Sequence, residues 1–152
     1  MEPKIESRQA FSVVGKMYHG KNENQEVARL WGEAGPWMEQ LEGMAVSDVA
    51  YGVMGNIDMD TGVFDYLAGL EVREDVATPE GLDRWPVPAG TYGVFPCTLP
   101  TLMQAFQAAY ETWLPRSGYR RAEGPEFEQY GSTFDPADPE SKMEIWIPIE
   151  AA

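Results

Sequence analysis

Cysteine and histidine are nearly absent from this chain of 152 residues: there is one of each, Cys97 and His19. A lone cysteine makes no disulfide within the chain and no cysteine-rich zinc site, which fits a reducing cytoplasm and a small buried thiol. A lone histidine, set in the polar segment 19–24, has no second imidazole with which to share a metal and no orienting partner for Ser/His/Asp catalysis. No run approaches the ~18 apolar residues of a membrane span, and residues 1–6 lack the charged and apolar regions of a signal peptide. A cytosolic protein without a membrane partner is expected. Basic residues are scarce too: 11 Lys and Arg stand against 25 Asp and Glu, a formal charge of −14. Such a surface repels nucleic acid phosphates and anionic lipid, so no direct nucleic acid partner is expected. Despite fifteen glycines there is no phosphate loop of the Walker or dinucleotide type, and Gly-x-Ser-x-Gly does not occur. No cofactor is implied. Asn56, Asp58 and Asp60 alternate ahead of Gly62, but without the twelve-residue calcium loop and its terminal glutamate they read as a hairpin turn.

What is present is a repeated order of elements in a chain of single-domain length, 1–152. The apolar cluster 10–15 predicts a strand. Val27, Leu30, Trp31, Ala34, Trp37, Met38 and Leu41 recur at spacings of three and four, one face of a helix that Gly35-Pro36 should break. Residues 48–54 and 63–72 predict a hairpin. After a charged stretch at 73–86, which reads as a surface connection, the order starts again. Residues 87–97 predict a strand, and 101–114 a helix with Leu102, Phe106, Ala109, Tyr110 and Trp113 on one face, stopped by Pro115 and Gly118. Two further strands, 119–130 and 142–150, flank the loop 131–141. Strand, helix, strand, strand is thus used twice, over 4–72 and 87–150. Two such units side by side would leave a cleft at their joint, a favoured place for ligands.

The two closing strands share a local pattern, a carboxylate two positions before an aromatic ring. In an extended strand residues i and i+2 share a face, so Glu128 lies beside Tyr130, and Glu144 beside Trp146. Met143, Ile145, Ile147 and Ile149 take the other face of the last strand. Glutamates on a solvated strand face, and rings packed in a core, are the plain alternatives. Glu144, however, stands among Met143, Ile145, Trp146 and Pro148, a setting too apolar for simple exposure. A carboxylate held among rings without a basic partner suits a cation with a flat apolar body. Glu128 and Glu144 are also the one acid–base candidate, since neighbouring strands would bring them close enough to raise one pKa.

Three segments in order carry a family resemblance: Ala-Tyr-Glu-Thr-Trp-Leu-Pro-Arg-Ser-Gly-Tyr at 109–119, Gly-Pro-Glu-Phe-Glu-Gln-Tyr at 124–130, and Met-Glu-Ile-Trp-Ile-Pro-Ile at 143–149. They resemble the helix end and closing hairpin of the GyrI-like, or AraC-type, effector-binding domains. That resemblance implies an α+β fold of two βαββ repeats with pseudo-twofold symmetry, an antiparallel sheet with helices on one side, and a groove between the repeats for lipophilic or aromatic cations. It implies a stand-alone member of the family, without the DNA-binding part. By position, Glu128 matches the acid that meets the ligand's charge, and Glu144 with Trp146 matches a second acid and its aromatic neighbour. Tyr51 and Tyr66 fall where the family places groove tyrosines, and Tyr110 is a further candidate that the helix face could instead bury. Trp146 stands where tyrosine is common, keeping the π-face and changing the polar handle. The resemblance leaves two alternatives: hydrolysis of reactive small molecules by a groove glutamate that positions water, and protein interaction of the gyrase-inhibitor type.

Overall fold

In the computed structural model, which describes residues 2–152, the strands and helices follow the chain as β1 (Lys4–Arg8), β2 (Phe11–Gly20), α1 (Glu26–Gly32), α2 (Gly35–Gln40), β3 (Ala45–Gly55), β4 (Phe64–Val72), β5 (Asp83–Val87), β6 (Gly90–Cys97), α3 (Leu102–Ala108), β7 (Tyr119–Arg121), β8 (Glu126–Tyr130) and β9 (Met143–Ala151). The predicted break at Gly35-Pro36 is the start of α2, with proline in the first turn, where its missing N–H costs nothing. α3 continues through a π turn at Ala109–Trp113 and a 3-10 turn at Leu114–Arg116, so the helical segment ends beyond Pro115.

All the strands join one antiparallel sheet in the order β1-β6-β9-β8-β3-β4-β2-β5, with β7 pairing β9 beyond the end of β8. Outward from the β3–β8 contact the order is β3-β4-β2-β5 on one side and β8-β9-β6-β1 on the other. Each half is therefore completed by the strand that precedes the other half in sequence. β1 pairs β6, and β5 pairs β2. This corrects one expectation: the stretch 73–86 is not a plain connection, because it runs into β5. Lys-Ile-Glu-Ser-Arg and Asp-Arg-Trp-Pro-Val lack the alternation that marks a half-buried strand. They are edge strands, where charge and proline are tolerated.

These connections also force the sheet to curl. β1 begins the strand order and β2 lies next to its far end, about 30 Å away in a flat sheet at the usual strand spacing. Only Gln9 and Ala10 separate them, and only Pro88 and Ala89 separate β5 from β6. Arg8 of β1 accordingly reaches β4 and β3, with Nη2 2.9 Å from Glu71 Oε1 and 3.2 Å from the Tyr51 hydroxyl. Its guanidinium also stands 3.8 Å from the Phe11 ring centroid. On the inner, concave face Phe11, Val13, Tyr51, Val53, Leu67, Val87, Tyr92, Val94, Phe127 and Trp146 form one core. The Phe11 and Phe127 rings, three strands apart in the order, lie 5.4 Å apart. Each such fully buried side chain contributes roughly 1.5–3 kcal/mol.

The helices all pack on the outer face. α1 and α2 cover β2 and β4 around Val14, Trp37, Leu41, Ala68 and Val72, while α3 covers β6 and β9 around Phe95, Ala105, Ile145 and Ile147. Between the two helical layers the central strands β3 and β8 remain accessible from outside.

Sharp bending shows in the facing pair Gly15 and Gly69 of β2 and β4. A Cβ on Gly15 would stand 1.9 Å from the Ala68 carbonyl oxygen, and one on Gly69 2.1 Å from that of Val14. Gly15→Ala should therefore destabilise the protein by about 3 kcal/mol, through backbone displacement, in urea unfolding. Gly32→Ala, whose Cβ would meet nothing within 4 Å at the end of α1, should be neutral or stabilising by up to ~1 kcal/mol.

Candidate functional site

β8 decides what faces the groove. Its register pairs Glu128 with Gly52 of β3 and Ile145 of β9, and Phe127 with Trp146. Directly paired residues share a face, so Glu126, Glu128 and Tyr130 point outward with Ile145, while Phe127 and Gln129 point inward. Trp146 and Glu144 therefore point inward as well. The two Glu-x-aromatic strands do not line one groove. The sequence pattern placed each acid correctly beside its own ring, but neighbouring strands are offset so that an acid on one lies beside an aliphatic on the other. Trp146 is stacked on Phe127 at 5.3 Å and 17°, and its Nε1 donates to Glu144 Oε1 at 3.2 Å. Tyr51, paired with Gln129, is inward too and accepts the Arg8 hydrogen bond. These three belong to the inner core and its seam.

On the outer face Glu128, Tyr66, Tyr130 and Tyr110 come together. Glu128 is 6% exposed. Its Oε1 accepts hydrogen bonds from the hydroxyls of Tyr66 and Tyr130, both at 2.7 Å. Tyr66 in turn accepts from Trp31 Nε1 of α1 at 2.8 Å. Gly52 makes this floor possible, because a Cβ there would stand 2.0 Å from the Tyr66 oxygen and 2.7 Å from Glu128 Oε1. Among the described residues no Lys, Arg or His makes an ion pair with Glu128, and Oε2 receives no hydrogen bond. Burial raises the Glu128 pKa above the usual carboxylate range, against the two phenol hydrogen bonds, which lower it. Burial, and then the Glu128 charge, push the Tyr66 and Tyr130 hydroxyls well up, so both stay protonated donors at neutral pH.

Two adjoining cavities meet at Glu128. One, about 810 Å³, is walled by Trp31, Tyr66, Leu102, Tyr130 and Phe134. The other, about 600 Å³, is walled by Phe64, Tyr66, Leu102, Phe106, Tyr110, Arg121 and Glu126. The Trp31 and Tyr130 rings meet edge to face at 5.6 Å. In the second cavity the Tyr110 hydroxyl donates to Glu126 Oε2 and accepts from Arg121 Nε at 2.9 Å. Trp31, Phe134, Glu126 and Arg121 were not foreseen as groove residues. Glu126 was accessible to the alternation argument, being two positions before Glu128; Trp31 and Phe134 reach the groove through packing that no local spacing announces.

The remaining sequence candidates lie elsewhere. His19 Nδ1 is 2.5 Å from Asp65 Oδ1 at an exposed strand end. Asp58 Oδ1 accepts the backbone N–H of Asp60 at 2.9 Å and forms the hairpin turn. Cys97 is buried, its thiol pushed up to about 11 by burial. Among the described residues no group of three or more His, Cys, Asp or Glu could hold a metal ion, and no helix is long and apolar enough to cross a membrane.

A curled antiparallel sheet with helices on its outer face, and an aromatic groove open between them, defines a small-molecule-binding domain. The chain belongs to the GyrI-like family: the family model described as the GyrI-like small molecule binding domain matches residues 1–150. It is 37% identical over 152 residues to the transcriptional regulator BrlR of Pseudomonas aeruginosa, covering 98% of this chain but only 56% of that protein's length. SAV2435, whose structure was solved bound to tetraphenylphosphonium, shares the fold with a TM-score of 0.78 at 19% identity, over 99% of this chain and 94% of that one. The C-terminal domain of EcmrR shares it with a TM-score of 0.73 at 15% identity, over 99% and 98%. The chain thus spans about half the length of the transcriptional regulator it matches.

A buried acid whose pKa is raised on folding contributes most stability below its unfolded pKa and loses it as pH rises through the folded pKa. Glu128→Gln keeps an oxygen to accept both phenols and removes the charge. In urea unfolding across pH, the variant should match the native protein at acid pH and be the more stable above the raised Glu128 pKa.

Proposed function

We propose that the groove binds a lipophilic or aromatic cation, with its positive centre against Glu128 and its apolar arms in the two cavities. The carrying observation is Glu128 itself: a buried carboxylate, held by two phenols and edged by rings, that makes no ion pair among the described residues. An isolated buried charge is costly, and a ligand cation removes that cost while water is expelled from the rings. Trp31 and Tyr130 line the groove as aromatic walls, and each cation–π contact in a desolvated site is worth about 1–2 kcal/mol. The tetraphenylphosphonium found in SAV2435 is a ligand of this chemical class. Recognition requires no bond to form or break, and Glu128 then serves as an electrostatic anchor.

Glu128→Gln should weaken tetraphenylphosphonium by roughly tenfold to a hundredfold, about 1.4–2.8 kcal/mol, in isothermal titration calorimetry. A neutral tetraphenyl analogue should change little, and equal losses for both would count against the carboxylate as the recognition element. Because the cation favours ionised Glu128, affinity should rise with pH through the raised pKa and then level off, with proton release on the acid side. The variant should show no such slope.

A further inference from the structure

Two carboxylates of β8 face the groove, not one. Glu126 and Glu128 both point outward from β8, two residues apart, and both line the second cavity. Their surroundings differ. Glu126 accepts from the Tyr110 hydroxyl and has Arg121 Nη2 3.8 Å from its Oε2, so its charge is already matched by a guanidinium of the protein. Arg121 is fixed in that position. Its Nε donates to Tyr110 at 2.9 Å, Nη1 to the Ala122 carbonyl and Nη2 to the Gly124 carbonyl at 3.0 Å. Lys21 lines the same cavity and has its Nζ 3.9 Å from Glu23 Oε1, so its charge is matched as well. The groove is therefore negative at Glu128 and charge-balanced on the Arg121 side.

We propose that Arg121 is a built-in second cation that sets the valence of the ligand: the groove accepts monocations and rejects dications. This rests on the reading of Glu128 as the cation anchor and goes one step further. One positive centre docks at Glu128, and the arm entering the second cavity must be neutral, because a second positive charge there would face Arg121 and find Glu126 already matched. Were Arg121 absent, Glu126 and Glu128 would stand about 7 Å apart along the strand, a pair suited to two linked cations. Burial holds the Glu126 pKa up, with the Tyr110 hydrogen bond and then the Arg121 charge acting against it. The general field of a chain with net charge −14 would favour a dication, so a preference for the monocation requires a local cause.

The test uses two ligands of nearly one shape, N-benzyl-4-(4-benzylphenyl)pyridinium, a monocation, and N,N′-dibenzyl-4,4′-bipyridinium, a dication whose nitrogens stand at about the carboxylate spacing. Calorimetry on the full chain at physiological salt should show the monocation bound at least about tenfold more tightly. Arg121→Met should narrow or reverse that ratio by strengthening the dication. Glu126→Gln, which leaves Arg121 unmatched, should weaken the monocation several-fold, and it decides the matter if Arg121→Met unfolds in a thermal melt. A native protein that binds both ligands equally, or a ratio that neither variant moves, overturns the role of Arg121 while leaving the Glu128 anchor in place. If neither ligand binds the native protein, the anchor falls and this inference with it.

Discussion

Two pairs of residues, Gln9-Ala10 and Pro88-Ala89, impose the constraint on which the rest of the molecule depends. Each joins a strand at one end of the sheet order to a strand at or beside the opposite end, and two residues cannot cross a flat eight-strand path. The sheet must curl, and curling makes its two faces unequal. The concave face closes on itself and becomes a dry aromatic core with Phe127 at its centre, in ring contact with Phe11, Tyr51, Tyr92 and Trp146. The outer face is too wide for its two helical layers to cover, and the uncovered strip over β3 and β8 is the groove.

Within that strip the Glu128 carboxylate organises the side chains. Tyr66 comes from β4, Tyr130 from β8, and Trp31 from α1 through Tyr66, so one oxygen ties three elements together. Hydrogen bonds of this kind hold the charge without neutralising it. A carboxylate in such a position destabilises the fold relative to an amide, and as the proposed anchor of a cation it would exchange stability for function. Glu126, on the same strand and the same face, shows the opposite solution, in which Arg121 supplies the cation from within the chain.

Much of the architecture was legible in the amino-acid order. The helical face from Val27 to Leu41, its break at Gly35-Pro36, the β3–β4 hairpin and the apolar outer face of β9 all follow from periods of 3.6 and 2, because they depend on neighbours in the chain. β1 and β5 were hidden for a physical reason: edge strands bury little, so their sequences need no alternation. Of the seven expected groove residues, Glu128, Tyr66, Tyr130 and Tyr110 meet outside the sheet, while Tyr51, Glu144 and Trp146 lie inside.

The same contrast divides what the sequence determined from what the tertiary structure decided. Alternation along one strand is a local property of the pleat, so the sequence alone placed Glu128 with Tyr130, and Glu144 with Trp146. Which of those pairs faces a ligand is a property of register between strands. A shift of one residue exchanges the faces, and here Phe127 pairs with Trp146 while Glu128 pairs with Ile145. Packing fixes that register: the ring of Trp146 fills the concave core, and Ile145 belongs under α3. Only the curled sheet, with one dry face and one partly open face, makes one Glu-x-aromatic strand a candidate binding wall and the other a piece of the core.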